Sequence, residues 1–288
     1  MRFAIISNPA SGAIVAGKKA RLLQIPAQLL HAQVHGLDTT SEQELAACAR
    51  ELARKHEVLV VAGGDGTFSD VMNALAGTDT ILAYLPLGSG NALKRALNLS
   101  GDLTRAAQQI ASGCPRTVDL IRCDGKRLAF MASVGLDPTV LRLIGSSPSE
   151  AGRRFRDYAG ATLHAYLKEY RRSCATLMVD GATIKSSGLL NVAVMKQPYY
   201  GFGLKMVPNA RFDDEQLHLL VLNSRLLGAL GGVITALTLG NCVGEFFTGR
   251  HVELEFENLQ EFQSDGDWRW QAQRFRFEIV PKALKICY

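Results

Sequence analysis

The sequence lacks paired cysteines: its six cysteines stand singly, with no CxxC pair among 288 residues. A chain of this length can bury a core without disulfide staples, so we expect reduced thiols in a cytoplasmic compartment. The net charge of +5 is not gathered in a basic tail, which makes nucleic acid a weak candidate partner. The opening MRFAIISNPASG also lacks the long apolar core and the cleavage site of a signal peptide.

One charge-free run, from Leu226 to Gly244, approaches the length of a membrane-spanning helix. It contains five glycines, two threonines and an asparagine, and Arg225 and Glu245 bound it closely. These residues favour a buried or groove-lining helix over a membrane span. A surface that meets lipid and a homodimer contact over Leu226–Val243 both stay open.

The first 120 residues alternate between strand and helix patterns. Strand patterns lie at Phe3–Ser7, Gln33–Leu37, Val58–Ala62 and Ile81–Leu85. Helix patterns lie at Lys18–Leu30, where Pro26 should break or kink the helix, and at Ser41–Lys55, Phe68–Leu75, Ala92–Leu97 and Leu103–Ser112. This rhythm predicts an α/β domain over residues 1–120 with a mostly parallel sheet.

From residue 121 to residue 288 strand patterns dominate. Strands are predicted at Thr117–Arg122, Arg127–Val134, Ala175–Val179, Leu189–Val194, Leu217–Leu222, His251–Glu257 and Phe275–Val280. Few helix patterns separate them, apart from Arg153–Arg172 and the apolar run from Leu226. A second, β-rich domain over residues 121–288 is the economical interpretation.

Gly63-Gly64-Asp65-Gly66-Thr67 follows the apolar run VLVVA directly and precedes a helix pattern. Its glycines let the backbone turn sharply and approach a ligand, and the N–H groups at the helix start suit phosphate. Thr67 is the expected N-cap, with Asp70 in the capping-box position. Asp65 would repel phosphate, so we expect it to reach a magnesium ion, its water or a ribose hydroxyl. A tight turn with a surface aspartate is the structural alternative.

Two further glycine turns repeat this pattern. Gly88-Ser89-Gly90-Asn91 follows a predicted strand, and Ser89 and Asn91 can cap the next helix and bond phosphate. Asn8-Pro9-Ala10-Ser11-Gly12 follows the first strand. Because the carboxyl ends of parallel strands share one edge of a sheet, the three turns together predict a nucleotide site.

Three better-known motifs are each incomplete. Gly12 to Lys19 nearly matches a P-loop, but Lys19 stands where Ser or Thr should hold magnesium. Gly88-Ser-Gly90 lacks the third glycine of the Rossmann fingerprint, because Leu93 occupies that position. His31 and His35 have zinc-ligand spacing, but both the intervening Glu and a third ligand are missing.

Further motifs follow in a fixed order: Ser133–Asp137, Tyr200–Gly203, Pro208–Asp214 and Ser264–Asp267. Together with the three glycine turns, their order and spacing resemble the diacylglycerol-kinase catalytic family of bacterial lipid kinases, sphingosine kinases and ceramide kinases. The resemblance spans nearly the whole chain. It implies an α/β nucleotide-binding domain with the NAD-kinase-like fold, then a β-sandwich domain, with the active site in the cleft between them.

The resemblance also implies roles for individual residues. ATP is expected at Asn8, Pro9, Ser11, Gly12, Thr40, Gly63, Gly64, Asp65, Gly66, Thr67, Gly88, Ser89 and Asn91. Asp265 is expected to be the general base that takes the proton of a lipid hydroxyl, with Asp267 close enough to assist. A structural Mg²⁺ is expected beside Asp214, with the main-chain oxygens of Arg211 and Gln216.

Four positions depart from the family pattern: Ser89 for threonine, Asp267 for glutamate, Phe202 within a glycine run and Glu215 for glycine. The last two bear on the substrate pocket and the magnesium loop. Without the resemblance, Asp265-Gly266 would be interpreted as a plain hairpin turn.

Two other functions stay open. An NAD kinase shares the GGDGT motif, although no later motif of that family is present. The second is a family member that binds nucleotide or lipid without catalysing a reaction. A basic cluster flanks the predicted helix Arg153–Arg172: Arg153, Arg154, Arg156, Lys168, Arg171 and Arg172. We interpret it as a solvated helix face in preference to a patch that binds anionic lipid at the inner membrane face.

Overall fold

The computed structural model describes residues 1–9, 14–88, 90–145, 155–170, 172–223 and 226–288. The chain forms two compact units. The N-terminal unit consists of Met1–Val118 together with Lys282–Tyr288, and the C-terminal unit consists of Asp119–Pro281. The end of the chain therefore returns to the N-terminal unit.

The N-terminal unit alternates strands with helices, as the sequence predicted. Its strands are β1 (Phe3–Ile6), β2 (Val34–His35), β3 (Val58–Gly63) and β4 (Ile81–Pro86). Its helices are α1 (Ala16–Leu22), α2 (Gln24–Leu29), α3 (Glu42–Lys55), α4 (Asp65–Ala74), α5 (Ala92–Ala96) and α6 (Leu103–Ser112). The strands run parallel in the order β4-β3-β1-β2, which brings the turns that follow β1, β3 and β4 to one edge.

Every residue of β3 is buried, as expected for an apolar run in a sheet with helices on its faces. The end of the chain extends this sheet, because Lys285 and Ile286 pair in parallel with β4. Ile286 and Cys287 are fully buried, and the Cys287 thiol lies 3.5 Å from the carbonyl oxygen of Ile110 in α6. The last residues thus complete the core of the N-terminal unit.

Local capping explains where several helices begin. Ser41 accepts the N–H of Glu44, and Asp102 accepts the N–H of Arg105. The helix predicted over Lys18–Leu30 is divided at Leu23, and Pro26 lies in the first turn of α2, where its missing N–H costs no helical bond.

The start of α4 corrects a prediction. The helix begins at Asp65, not at Phe68, and its N-cap is Gly64 rather than Thr67. Thr67 is buried in the first turn, where its side chain packs so closely on Gly63 that a Cβ added there would lie 2.8 Å from the Thr67 Cβ. The turn closes earlier than predicted because the glycines before Asp65 complete the bend.

The C-terminal unit is rich in strands, with β5 leading into it from the N-terminal unit. The strands are β5 (Pro115–Cys123), β6 (Arg127–Ala129), β7 (Met131–Gly135), β8 (Ser173–Val179), β9 (Ala182–Leu189), β10 (Asn191–Met195), β11 (Leu217–Leu222), β12 (Glu245–Gly249), β13 (His251–Ser264) and β14 (Asp267–Cys287). The helices are α7 (Leu136–Gly145), α8 (Phe155–His164), followed by a π-helical turn Ala165–Glu169, and α9 (Leu226–Thr238). A 3₁₀ turn covers Gly201–Gly203.

Antiparallel pairing joins β12, β11, β10, β7, β13 and β14 in that order, and β8 pairs with both β13 and β9. The long strand β13 changes neighbours along its length: Val252–Phe256 pair with β8, and Phe262–Ser264 pair with β7. Its pairing with β14 shifts register between Glu255 and Gln260, a bulge that bends the strand between these two partners. The core between the strands includes Leu177, Val192, Leu219, Phe262 and Phe277.

Several C-terminal elements differ from the predictions. The strand predicted over Arg127–Val134 is two strands, β6 and β7, separated at Phe130. Three elements were not predicted: β9, β12 and α7. The residues of β9 are mostly exposed, and the strand has no apolar run. Within the described residues no helix is long and apolar enough to cross a membrane, and α9 ends at Thr238.

Candidate active site

The glycine turns after β3 and β4 touch each other through their backbones. The N–H groups of Leu87 and Gly88 donate to the carbonyl oxygen of Gly63 at 2.8 and 3.2 Å. A Cβ added to Gly88 would lie 2.6 Å from the Cα of Gly64, closer than such atoms can approach. The sequence predicted that these turns converge, and the structure shows that Gly88 makes the contact possible.

Asp65 fastens the first of these turns to α5. Its carboxylate accepts the N–H groups of Ala92 and Leu93 at 2.8 and 3.2 Å. The Tyr84 hydroxyl lies 3.3 Å from the same carboxylate. Burial first and the nearby Asp65 second raise the pKa of Tyr84 well above its ordinary value. Asp65 therefore caps a neighbouring helix, which gives this acid a structural role in the predicted phosphate-binding turn.

Asn91 holds the second turn in shape. It adopts a left-handed backbone conformation with φ 43°, and its side-chain amide donates to the carbonyl oxygen of Gly88 at 2.5 Å. Tyr84 donates to its side-chain oxygen at 2.9 Å. Asn91 occupies the predicted N-cap position of α5, but its side chain makes no cap bond, and Asp65 supplies the acceptor instead. Ser89 lies outside the described residues.

The turn after β1 is held by a buried lysine. Lys19 is 1% exposed, and its ammonium donates to the carbonyl oxygens of Asn8 and Pro9 at 2.5 and 3.2 Å. Burial lowers the pKa of Lys19. In the sequence, Lys19 was noted only as the residue that breaks the P-loop pattern. The near match to that pattern was the one sequence feature that placed Lys19 close to the turn after β1. Ser11 and Gly12 lie outside the described residues.

Three other predicted nucleotide residues lie near this edge: Thr40, Gly66 and Thr67. Thr40 is exposed, and both its N–H and its hydroxyl donate to the Glu44 carboxylate. Gly66 and Thr67 lie in the first turn of α4, and Gly64 caps that helix without a side chain. The first N–H groups of α4 therefore retain the arrangement that binds phosphate at a helix N-terminus.

In the C-terminal unit, Asp265 and Gly266 form the two-residue turn between β13 and β14. Both have positive φ, 51° and 89°, as a type I′ hairpin requires. Asp265 is nevertheless only 4% exposed, which is unusual for an aspartate at a hairpin tip. Its Oδ1 accepts the N–H groups of Phe130 and Met131 at 3.0 and 3.1 Å, and its own N–H donates to the carbonyl oxygen of Met131 at 3.0 Å.

A buried polar network supports this turn through Gln263. The Gln263 side chain is fully buried; its oxygen accepts the N–H of Gly266 at 3.0 Å. Its amide donates to Ser133 at 2.9 Å, to Tyr200 at 2.8 Å and to Asp137 at 3.1 Å. The sequence motifs around residues 133, 200 and 265 therefore meet at one side chain that sequence reasoning did not single out.

Asp137 is the acid of this network. It accepts hydrogen bonds from the hydroxyls of Ser133 and Tyr200 as well as from Gln263. Burial raises the pKa of Asp137, although these three hydrogen bonds oppose the shift. Burial also raises the pKa of Tyr200 well above its ordinary value, with the Asp137 charge adding to the effect. Asp267, the predicted assistant, is partly exposed and pairs with Arg269 at 3.3 Å.

Comparison with known proteins identifies the family. A model of the diacylglycerol kinase catalytic domain matches residues 2–123. A model of the YegS C-terminal NAD kinase beta sandwich-like domain matches residues 131–288. The chain belongs to the diacylglycerol kinase catalytic-domain family. The resemblance seen in the motifs and the two-part fold are thereby confirmed.

Individual relatives are distant but span most of the chain. The diacylglycerol kinase of Staphylococcus carnosus (strain TM300) is 26% identical over 253 residues, which are 83% of this chain and 78% of that protein. The Staphylococcus aureus (strain Newman) diacylglycerol kinase is 25% identical over 253 residues, 83% of this chain and 76% of that protein. A crystal structure of a diacylglycerol kinase from Bacillus anthracis str. Sterne shares the fold, with a TM-score of 0.73, 18% identity and coverage of 100% of this chain and 96% of that chain. The two Staphylococcus relatives support a kinase, and the Bacillus structure shows the shared fold.

The magnesium site expected for this diacylglycerol kinase family member is filled by a side chain. The ammonium of Lys196 lies 2.7 Å from Asp214 Oδ1, 2.7 Å from the carbonyl oxygen of Gln216 and 3.2 Å from Asp119 Oδ2. Arg211 has an exposed side chain that pairs with Asp213. Among the described residues no cluster of three or more His, Cys, Asp or Glu side chains could hold a metal ion. The residues present do not fit a resident magnesium ion.

Proposed function

We propose that this protein transfers the γ-phosphoryl group of ATP to a hydroxyl of a diacylglycerol-like or sphingoid-like lipid. The observation that carries the proposal is Asp265, a buried carboxylate at a hairpin tip that two backbone N–H groups hold in place. A fixed, buried carboxylate suits proton abstraction in phosphoryl transfer, which otherwise depends on positioning and charge neutralisation. The relatives named diacylglycerol kinase support the lipid acceptor.

In this proposal ATP binds to the N-terminal unit as its magnesium complex. The touching turns at Gly63–Gly64 and Gly88 give the phosphates a surface free of Cβ atoms, and the N-terminus of α4 supplies N–H donors. Lys19 holds the Asn8 and Pro9 carbonyls at the same edge of the sheet. These contacts support the predicted nucleotide residues as a group.

The proposed chemistry is a single displacement. The lipid hydroxyl oxygen attacks the γ-phosphorus, the bond from that phosphorus to the β–γ bridging oxygen breaks, and ADP leaves. The hydroxyl proton passes to the Asp265 carboxylate. The proposal requires Asp265 to reach the acceptor hydroxyl while the γ-phosphate is presented to it.

Exposed apolar side chains in the C-terminal unit support a lipid acceptor presented at a membrane surface. Leu163 and Leu167 are exposed next to the exposed Lys168, and near the end of α9 Ile234 and Leu237 are also exposed. Apolar side chains beside basic ones suit peripheral contact with anionic lipid. Of the basic cluster predicted for that contact, Arg153, Arg154 and Arg171 lie outside the described residues.

The substitution Asp265→Asn tests the function. Asparagine keeps an oxygen that can accept the Phe130 and Met131 N–H groups, so the turn should survive, but it cannot take a proton. We expect turnover to fall about 10²–10⁴-fold with ATP binding retained. The assay uses labelled ATP with a panel of diacylglycerol, sphingoid bases, ceramide and total lipid extract, and the partly exposed Asp267→Asn is the matched control, with a smaller loss expected.

Other outcomes would replace the proposal. Unchanged turnover in Asp265→Asn would show that Asp265 is not the general base. Phosphorylation of NAD with no lipid product would make the protein an NAD kinase. A thermal shift with ATP and magnesium but no turnover on any acceptor would indicate a binding protein without catalysis.

A further inference from the structure

We propose that Lys196 is a built-in cation that replaces a structural divalent metal in the C-terminal unit. The Lys196 side chain is fully buried at the end of β10, and its ammonium contacts two carboxylates and one carbonyl oxygen. Two carboxylates and a carbonyl are the oxygen donors that a hard cation such as Mg²⁺ or Ca²⁺ prefers. The site has the donors for a metal ion, and the chain supplies the charge itself.

The distances match an ammonium and not a magnesium ion. An ammonium has three N–H donors, and here three oxygens lie at 2.7, 2.7 and 3.2 Å from the nitrogen. Magnesium requires oxygens at about 2.0–2.1 Å in octahedral order. The nitrogen of Lys196 takes the space between Asp214 and Gln216 that such an ion would need.

The cation organises the loop that carries Asp214. Asp119 also accepts the N–H of Glu215 at 2.8 Å and donates its own N–H to the carbonyl oxygen of Phe212 at 2.7 Å. His218 contacts the other oxygen of Asp214 at 2.7 Å. Lys196 therefore links the Asp214 carboxylate of this loop to Asp119 of β5, to which the loop backbone is already bonded. Removing its charge leaves two buried or half-buried acids facing each other.

The test is thermal unfolding of the full chain without nucleotide, in EDTA and then with Mg²⁺, Ca²⁺ or Mn²⁺. We expect the wild-type melting temperature to be the same under all four conditions. Lys196→Ala should lower it in EDTA by on the order of 10 °C, and a divalent cation should restore at least half of that loss, because the emptied space keeps its oxygen donors.

Two further variants separate charge from packing. Lys196→Met loses the charge but fills the space, so it should be destabilised without rescue by any cation. Lys185→Ala removes an exposed lysine of β9 and should change neither stability nor the response to cations.

The proposal does not depend on kinase activity, and the wild type alone can overturn it. A wild-type protein that melts several degrees lower in EDTA, or that retains a stoichiometric divalent metal after purification, would show that the site binds a metal despite Lys196. Failure of every cation to stabilise Lys196→Ala, or equal rescue of Lys196→Met, would equally overturn it.

Discussion

Asp65 in the N-terminal unit and Asp265 in the C-terminal unit stand beside glycine in similar local sequences, and both carboxylates accept two consecutive backbone N–H groups from a distant segment. Asp65 accepts those of Ala92 and Leu93 with both of its oxygens, and it lies in the first turn of a helix. Asp265 accepts both donors with one oxygen, and it lies in a hairpin turn at positive φ. The same dipeptide thus caps a helix in one unit and forms a buried hairpin tip in the other.

The surroundings of the two aspartates differ in kind. Asp65 belongs to a site made mostly of backbone, where two glycine turns touch and Asp65 itself caps the N-terminus of α5. Asp265 belongs to a site made mostly of side chains, where Gln263 connects Ser133, Asp137 and Tyr200 to the turn. The backbone site has no room for a Cβ on Gly63 or Gly88, whereas the side-chain network depends on its donors and acceptors, and substitutions can separate these two behaviours.

The largest effect is expected at the backbone site, from Gly88→Ala. The new Cβ would meet the Gly64 backbone at 2.6 Å, so the two turns must move apart. We expect a loss of about 1–3 kcal/mol in unfolding free energy and at least about a tenfold loss in ATP affinity, measured by denaturant unfolding and calorimetric titration. Gly17→Ala is the matched control, because a Cβ there meets nothing within 4 Å and alanine favours α1. Equal effects in the two variants would contradict the close contact.

A narrower effect, on stability and turnover but not on ATP affinity, is expected at the side-chain site, from Gln263→Leu. Leucine removes the hydrogen bonds that Gln263 makes with the Gly266 N–H and with the Asp137 carboxylate, at a cost of about 1–3 kcal/mol in unfolding free energy. Turnover should fall while the KM for ATP stays unchanged, since the substitution loosens only the turn of Asp265. The exposed Gln271→Leu on β14 should change stability by less than about 0.5 kcal/mol. A loss of ATP affinity in Gln263→Leu would show that the two sites are not separable.

The smallest effect is a pH dependence within the side-chain network. Burial raises the folded-state pKa of Asp137, so the stability it contributes is present below its ordinary pKa near 3.8 and is lost as pH rises through the raised pKa. Asp137→Asn should remove that loss, so its stability relative to wild type should improve as pH increases. Urea unfolding across this pH range measures the difference.

Asp180 is a control of opposite sign. A backbone hydrogen bond from His251 is the main cause that lowers the pKa of Asp180. The stability from Asp180 is therefore present above its ordinary pKa and lost as pH falls through the lowered value. Asp180→Asn should be most destabilised at neutral pH, and a trend in the same direction as Asp137→Asn would contradict the assignment.

Sequence patterns predicted the N-terminal unit well and the C-terminal unit less completely. The strand β3 and the helices α3 and α6 follow from an apolar run and from local caps, which involve neighbours in sequence. β9 and β12 were missed because their residues are largely exposed, so neither shows a continuous apolar run. The capping role of Asp65 was also missed, since its partners lie 27 and 28 residues away.

The sequence by itself determined the alternating α/β unit, the three glycine turns and the family, because the elements and each motif are short runs of neighbouring residues, and the family follows from the order of those motifs. Only the tertiary structure decided that Asp265 is buried, that the chain end joins the N-terminal sheet and that Lys196 fills the expected metal position. The contact of Asp265 with Phe130 joins residues 135 apart, and that of Lys196 with Asp214 joins residues 18 apart on different strands and loops. Contacts of this kind depend on how β-strands pair, and no local pattern of residue types specifies that pairing.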